Sequence, residues 1–257
     1  MSPASAGPPR TAFILIVGDE ILSGEVVDEN AAHLARKLTG LGIRVAGMRV
    51  VPDTLEGIAA AVEAAAAAAE LVFVSGGIGP THDDLTRQAV AAAFGVACER
   101  HREAEAHLRQ GYGAVITEAE LKMADLPRGA RVLPGVRPGV YGFRVDRVHV
   151  LPGIPALLRE IFDQLIESWE PAAYFREEMV TRLREGNLAD ALGEIQADHP
   201  AVAIGSYPVR TEDGYRVRIV LRARDRGELE RARTRVAELL GGGAGLVGVP
   251  GRPLAPG

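Results

Sequence analysis

A chain of 257 residues, 47% hydrophobic and 25% charged, has the composition of an ordinary globular protein. It has room for one large domain, or for one of about 160 residues and a smaller companion. The net charge of −5, with no clustered basic face, argues against a nucleic-acid partner, and the single cysteine, Cys98, excludes an intramolecular disulfide and a cysteine-built metal cluster.

Residues 1–10 contain no apolar core of a leader and read as a disordered lead-in. AFILIV (12–17) is a buried-type strand, followed by a loop GDEILSG and a helix from Glu29 to Thr39. IRVAGMRVV (43–51) is the second strand, and Thr54 can cap the alanine-rich helix that runs to Ala69. That run is too short and too acid-interrupted to span a bilayer, so a cytoplasmic protein with no membrane partner is expected. LVFVS (71–75) is the third strand and leads straight into SGGIGPTHDDLT (75–86), with a helix from Leu85 to Phe94 closed by Gly95. Cys98 is placed at the end of this helical stretch as a small core residue. Helical segments follow at His101–Gln110 and Thr117–Ala124, then a turn at Asp125–Pro127. Short strands are expected at 131–134, 140–145 and 147–153, and a helix from Pro155 to Ile166.

Strands alternating with helices imply an α/β three-layer sandwich with a mostly parallel sheet, spanning 11–168. Beyond Trp169-Glu170-Pro171 the order becomes strand (176–184), helix (187–198), strand (201–207), strand (215–222), helix (226–240) and short strand (246–249). That is the order of a small α+β ferredoxin-like unit over 172–250, with residues 251–257 as a tail.

In an open parallel sheet, ligands bind beyond the carboxyl ends of the strands. Three of those ends carry polar loops here: Gly18–Gly24, Val51–Asp53 and Gly76–Asp84. Gly76, Gly77 and Gly79 allow backbone amides to turn toward an anion, and the helix beginning nearby adds its dipole. Gly18, Ser75, Pro80, Thr81 and Thr86 belong to the same candidate phosphate site, with Gly153 in the LPGIP segment (151–155) at the same sheet edge. Carboxylates beside a diphosphate repel it unless a hard cation lies between them. Asp53, Asp83, Asp84 and Glu20 are therefore candidates to hold a divalent metal, magnesium or cobalt, with potassium a further candidate. Asp53 and Asp84 are the catalytic candidates. The same residues also suit a strand-to-helix turn in which Asp83 or Asp84 caps the helix. Asn30, His82 and Lys122 are weaker candidates: each has an ordinary capping or surface role available.

GDEIL (18–22), VVPD (50–53), GGIGPTHDDLT (76–86) and LPGIP (151–155), in that order, resemble the molybdopterin-binding-like domain family. Two of its branches are close: competence/damage-inducible protein A and the N-terminal domain of animal FAD synthases. The resemblance covers nearly the whole chain. It implies that Asp53 and Asp84 are the key acids, that Gly76–Thr81 holds the phosphate end of a ligand, and that the protein forms a homo-oligomer. Members acting on nucleotides hydrolyse the diphosphate of ADP-ribose or FAD with a divalent metal, so a metal-dependent nucleotide pyrophosphatase is the leading expectation. Molybdopterin binding or adenylylation is an alternative, and a non-catalytic nucleotide-binding module another. The partner in each case is a small nucleotide or pterin diphosphate. The deamidase and FAD-forming domains found in some relatives have no counterpart in these residues, so neither of those activities is expected.

Overall fold

A computed structural model describes residues 11–211 and 214–241. Its contacts divide the chain at Glu170/Pro171 into a larger and a smaller unit, with Gly40–Gly42 grouped with the smaller one.

The larger unit begins with β1 (Thr11–Val17), whose residues are nearly all buried because both faces of the strand are covered. A four-residue helix, α1 (Asp19–Leu22), follows, then α2 (Asn30–Gly40), β2 (Arg44–Val51) and α3 (Leu55–Ala68). Next come β3 (Leu71–Ser75), α4 (Thr86–Ala93), β4 (Cys98–Arg100), α5 (Arg102–Tyr112), α6 (Glu118–Leu121) and β5 (Asp125–Pro127). The unit closes with β6 (Arg131–Pro134), β7 (Tyr141–Val145), β8 (Val148–Leu151) and α7 (Pro155–Ile166).

Six strands form one sheet in the order β2-β1-β3-β8-β7-β6. The four from β2 to β8 run parallel, while β7 and β6 add an antiparallel edge. Because β1 lies between β2 and β3, the chain passes to opposite sides of β1 in successive crossovers. The carboxyl ends of β1 and β3 therefore flank a topological switch point, where such sheets open a crevice.

Alternation along the strands supplies two cores. Leu15, Val17, Val72, Val74, Val148 and Val150 pack against α3, α4 and α5 through Ile58, Val62, Val90 and Leu108. On the opposite face Phe73 stacks on His149, with ring centroids 5.1 Å apart, and meets Phe162 of α7 edge-on at 5.2 Å. The result is a three-layer α/β sandwich.

In the smaller unit, β9 (Phe175–Thr181), α8 (Ala189–Asp198), β10 (Val202–Thr211), β11 (Gly214–Ala223) and α9 (Arg226–Leu239) follow in order. The antiparallel sheet runs β10-β11-β9. Its inner face, including Met179, Ile219 and Leu221, packs on Leu192, Ile195, Leu229 and Val236 of the two helices. The lead-in at 1–10, the strand expected at 246–249 and the tail at 251–257 lie outside the described residues.

Several local expectations are corrected. The first loop contains a helical turn at Asp19–Leu22. Cys98 sits on β4 and not at a helix end, and Asp125–Pro127 is its partner strand and not a turn. Each of these strands has three residues, too few to show a period; pairing with the other creates them. Thr54 occupies the position before α3, but its side chain makes no capping bond. The α4 helix begins at Thr86, so neither Asp83 nor Asp84 is its cap.

Candidate functional site

A pocket of about 600 Å³ opens at the switch point of the larger unit. Gly18 after β1, Asp53 after β2, Gly76–Pro80 after β3 and Pro152–Pro155 after β8 all line it, so four strand ends contribute.

The glycine loop has the conformation its sequence permits. Gly76 (φ +107°) and Gly77 (φ +67°) lie in the region that side chains disfavour. A Cβ on Gly76 would stand 2.3 Å from the Val17 carbonyl oxygen, and one on Gly77 would stand 2.3 Å from Thr86 Oγ1. The loop is pinned at both ends. Gly76 N donates to Leu151 O (3.1 Å), and Thr86 N donates to Gly77 O (3.0 Å). The Thr86 hydroxyl, fully buried, donates to Gly76 O (2.9 Å). Gly77 and Ile78 line the pocket, and their amide groups have no protein acceptor among the described residues. Two free donors on a strained loop are what an anion cradle requires.

Asp84 organises this loop from within. Its Oδ1 accepts from Gly79 N (2.7 Å), and its Oδ2 accepts from Thr81 N (2.8 Å) and from the Thr81 hydroxyl. Across the crevice, Asp53 Oδ2 accepts from Asp19 N (2.8 Å), which fixes the carboxylate against the start of α1. Burial raises the Asp53 pKa above the usual aspartate range, against the lowering effect of the Asp19 amide, and the charges of Asp19, Glu20 and Asp83 raise it further. Like charges crowded at one rim favour a cation. Among the described residues no three His, Cys, Asp or Glu side chains come together as a ready-made cluster. Glu20, Asp53 and Asp83 line the pocket from separate loops. That donor set suits a small hard cation of the kind held by one or two carboxylates, with phosphate oxygens and water completing its shell.

The remaining candidates divide. Gly18, Gly79, Pro80 and Gly153 line the pocket, whereas Ser75, Thr81 and Thr86 lie beneath or beside the loop and brace it. Asn30, 5% exposed, acts as a clamp: its Nδ2 donates to Gly153 O (2.6 Å) and to Ser75 Oγ (3.0 Å). Ser75 Oγ in turn donates to Pro152 O (3.2 Å). His82 points into solvent with its side chain 99% exposed, and Lys122 is exposed; neither lines the pocket.

Arg87 escaped the sequence reading. Only 4% exposed, it lines the pocket and donates through one Nη to the Ile78 carbonyl. Burial pushes its pKa down, with Tyr141 and Asp84 opposing. A signal was present: Arg87 follows directly on the glycine loop, in a helix whose next residues include the apolar Ala89, Val90 and Ala91. Tyr112 and Tyr141 were also missed, since they reach the pocket from the α5 end and from β7.

Comparison with known proteins agrees with this geometry. Residues 13–172 match the family described as a probable molybdopterin binding domain, and residues 173–245 match the middle domain of FAD synthase. A protein of Archaeoglobus fulgidus is 34% identical over 229 residues, 89% of this chain and 97% of that protein. A CinA-like protein of Frankia casuarinae is 35% identical over 243 residues, 85% of this chain and 55% of its own length. The crystal structure of CinA from Thermoplasma acidophilum, a protein of unknown function, matches 62% of this chain and 96% of its own at 34% identity, with a TM-score of 0.58. The chain thus belongs to the CinA-like branch of the molybdopterin-binding domain family.

Proposed function

We propose that this protein is a metal-dependent nucleotide pyrophosphatase, a hydrolase of phosphoric anhydrides that splits ADP-ribose, and secondarily FAD, to release AMP. The observation that carries this reading is the pairing of an anion cradle with a crowded acidic rim in one pocket. The free amides of Gly77 and Ile78 stand on one side, and Asp53, Asp83 and Glu20 on the other.

In this reading the amides of Gly77 and Ile78 bind the diphosphate and set its orientation. Asp84 keeps those amides in place by bonding Gly79 and Thr81, so it acts through the loop. Glu20 and Asp83 would hold a divalent cation, magnesium or cobalt, which when bound would polarise the phosphoryl group and make water more acidic. Asp53, steadied by Asp19 N, would serve as the base that takes a proton from the attacking water. The phosphorus–oxygen bond to the leaving phosphate then breaks, and that phosphate departs from the loop.

A second reading, molybdopterin binding or adenylylation, is favoured by the family description over residues 13–172. The two part on one assay. AMP release from ADP-ribose and FAD is measured with magnesium, cobalt or EDTA, beside an Asp53→Ala/Asp84→Ala double variant. Metal-dependent AMP that disappears in the double variant is the expected result. No AMP with any metal, together with tight molybdopterin binding, would overturn the pyrophosphatase in favour of the second reading.

A further inference from the structure

One wall of the pocket comes from a hairpin and not from a parallel strand end. β7 runs antiparallel to β8, with Phe143 opposite Val150, so the start of β7 stands at the carboxyl end of β8. The connection from β6 to β7, residues 135–140, is thereby carried to the sheet edge where the pocket opens, and Gly139 and Val140 line it. That connection reads GVRPGV and is neither helix nor strand. Its glycines have much backbone freedom to lose, so the wall keeps one shape only if something holds it.

The hold comes from both helical layers. The loop's own backbone closes it through Gly135 N to Val140 O (2.9 Å) and Val140 N to Arg137 O (3.3 Å). From α5, His107 Nε2 donates to Val140 O (2.8 Å), and a Cβ on Gly111 would stand 2.5 Å from Gly139 Cα. From α7, on the opposite face of the sheet, Glu160 grips the other end. Its Oε1 accepts from Val136 N (2.5 Å) and Arg137 N (3.1 Å), and its Oε2 accepts from Arg137 Nε (3.2 Å). Successive amides converging on one carboxylate make an anion nest, and bonds to a charged acceptor are roughly twice as strong as neutral ones. The Glu160 side chain is 18% exposed and does not line the pocket. It reaches the site only through the loop.

We propose that Glu160 is a positioning residue: it holds residues 135–140 as a fixed wall, so that Gly139 and Val140 keep the pocket in the shape that binds its ligand. Without that carboxylate the loop is tied from the α5 side alone, and each binding event must order it afresh. Glu160 thus does for this wall what Asp84 does for the glycine loop, from a different helix. The inference rests on the hydrolase reading only in taking ADP-ribose as the substrate.

The test compares the full chain as wild type, Glu160→Ala, Glu160→Gln and Val136→Pro. The last removes the Val136 amide from the loop side, at a residue 76% exposed. Three quantities are read: hydrogen exchange across 135–140, KM and kcat for ADP-ribose with magnesium, and AMP affinity by calorimetry. Glu160→Ala is expected to speed exchange in this loop alone and to raise KM about tenfold with kcat kept, which is the sign of lost binding and not of lost chemistry. AMP affinity should fall by the same factor. Glu160→Gln keeps an oxygen acceptor for the two amides and should stay close to wild type. Val136→Pro should reproduce Glu160→Ala, and it carries the test if Glu160→Ala does not fold. Unchanged exchange overturns the anchoring. Faster exchange with KM and AMP affinity unchanged, or a fall in kcat alone, overturns the positioning and leaves the hydrolase standing. If AMP binds and ADP-ribose is not cleaved, the hydrolase falls and AMP affinity alone decides the role of Glu160; if neither binds, both fall.

Discussion

At the residue scale, Asp53 and Asp84 have similar sequence neighbourhoods and different work. Asp84 satisfies the backbone of its own loop, so Asp84→Ala leaves the Gly79 and Thr81 amides without their acceptor, a loss of about 0.5–1.5 kcal/mol for each partly or fully exposed bond. AMP release should vanish while the circular dichroism of the folded chain is retained. Asp53 can be tested by pH. Its raised pKa means that the folded state holds its proton above the ordinary aspartate value of about 3.9. Between that value and the raised one the folded state binds more protons than the unfolded, so stability contributed by this group falls as pH rises through the window. Asp53→Asn removes the disfavoured charge and keeps an acceptor for Asp19 N. The variant should melt no lower than wild type at neutral pH and yet turn over about 100-fold slower or worse.

At the scale of elements, the decisive piece is the connection from β3 to α4. Gly76→Ala requires a side chain where φ is +107° and where the Val17 carbonyl stands 2.3 Å from the new Cβ. Holding such a residue costs about 1–3 kcal/mol, and the loop can escape by reorganising. Chain folding should survive, and pyrophosphate binding by calorimetry should be lost. Full retention of that binding would show that the loop is not the anion cradle. The loop was legible because its glycines and acids are local. Strand ends at β1, β2, β3 and β8 were legible too, since apolar runs closed by Gly, Pro and Asp are local signals. The β4–β5 ribbon was not. Each three-residue strand is stable only against a partner about 25 residues away (Arg100 opposite Asp125), and no local pattern records that pairing.

At the scale of the whole molecule, the layered core holds a buried titratable group besides the acids of the pocket. His149, 2% exposed, lies on β8 between the sheet and α7, stacked on Phe73. Burial lowers its pKa to about 4, and Arg144 adds to the lowering. A histidine lowered on folding leaves the unfolded state to bind the proton first, so stability is lost as pH falls from the free value near 6.5 toward 4. The shift corresponds to about 3 kcal/mol. His149→Leu should flatten the decline of the melting temperature over that interval; an unchanged decline would place the acid sensitivity elsewhere.

By itself the sequence determined the class of the fold, the order of nearly every element, and the loops that meet at the sheet edge. Those depend on periodicity, punctuation and residue type, which act over a few neighbours. Only the tertiary structure decided what each residue does there. It turned Asp84 inward to the loop and left Asp53 at the rim; it put His82 and Lys122 outside the pocket. It also buried Arg87 in the wall of the pocket. A side chain's partners and exposure are set by segments distant in the chain, through packing and burial that no local pattern contains.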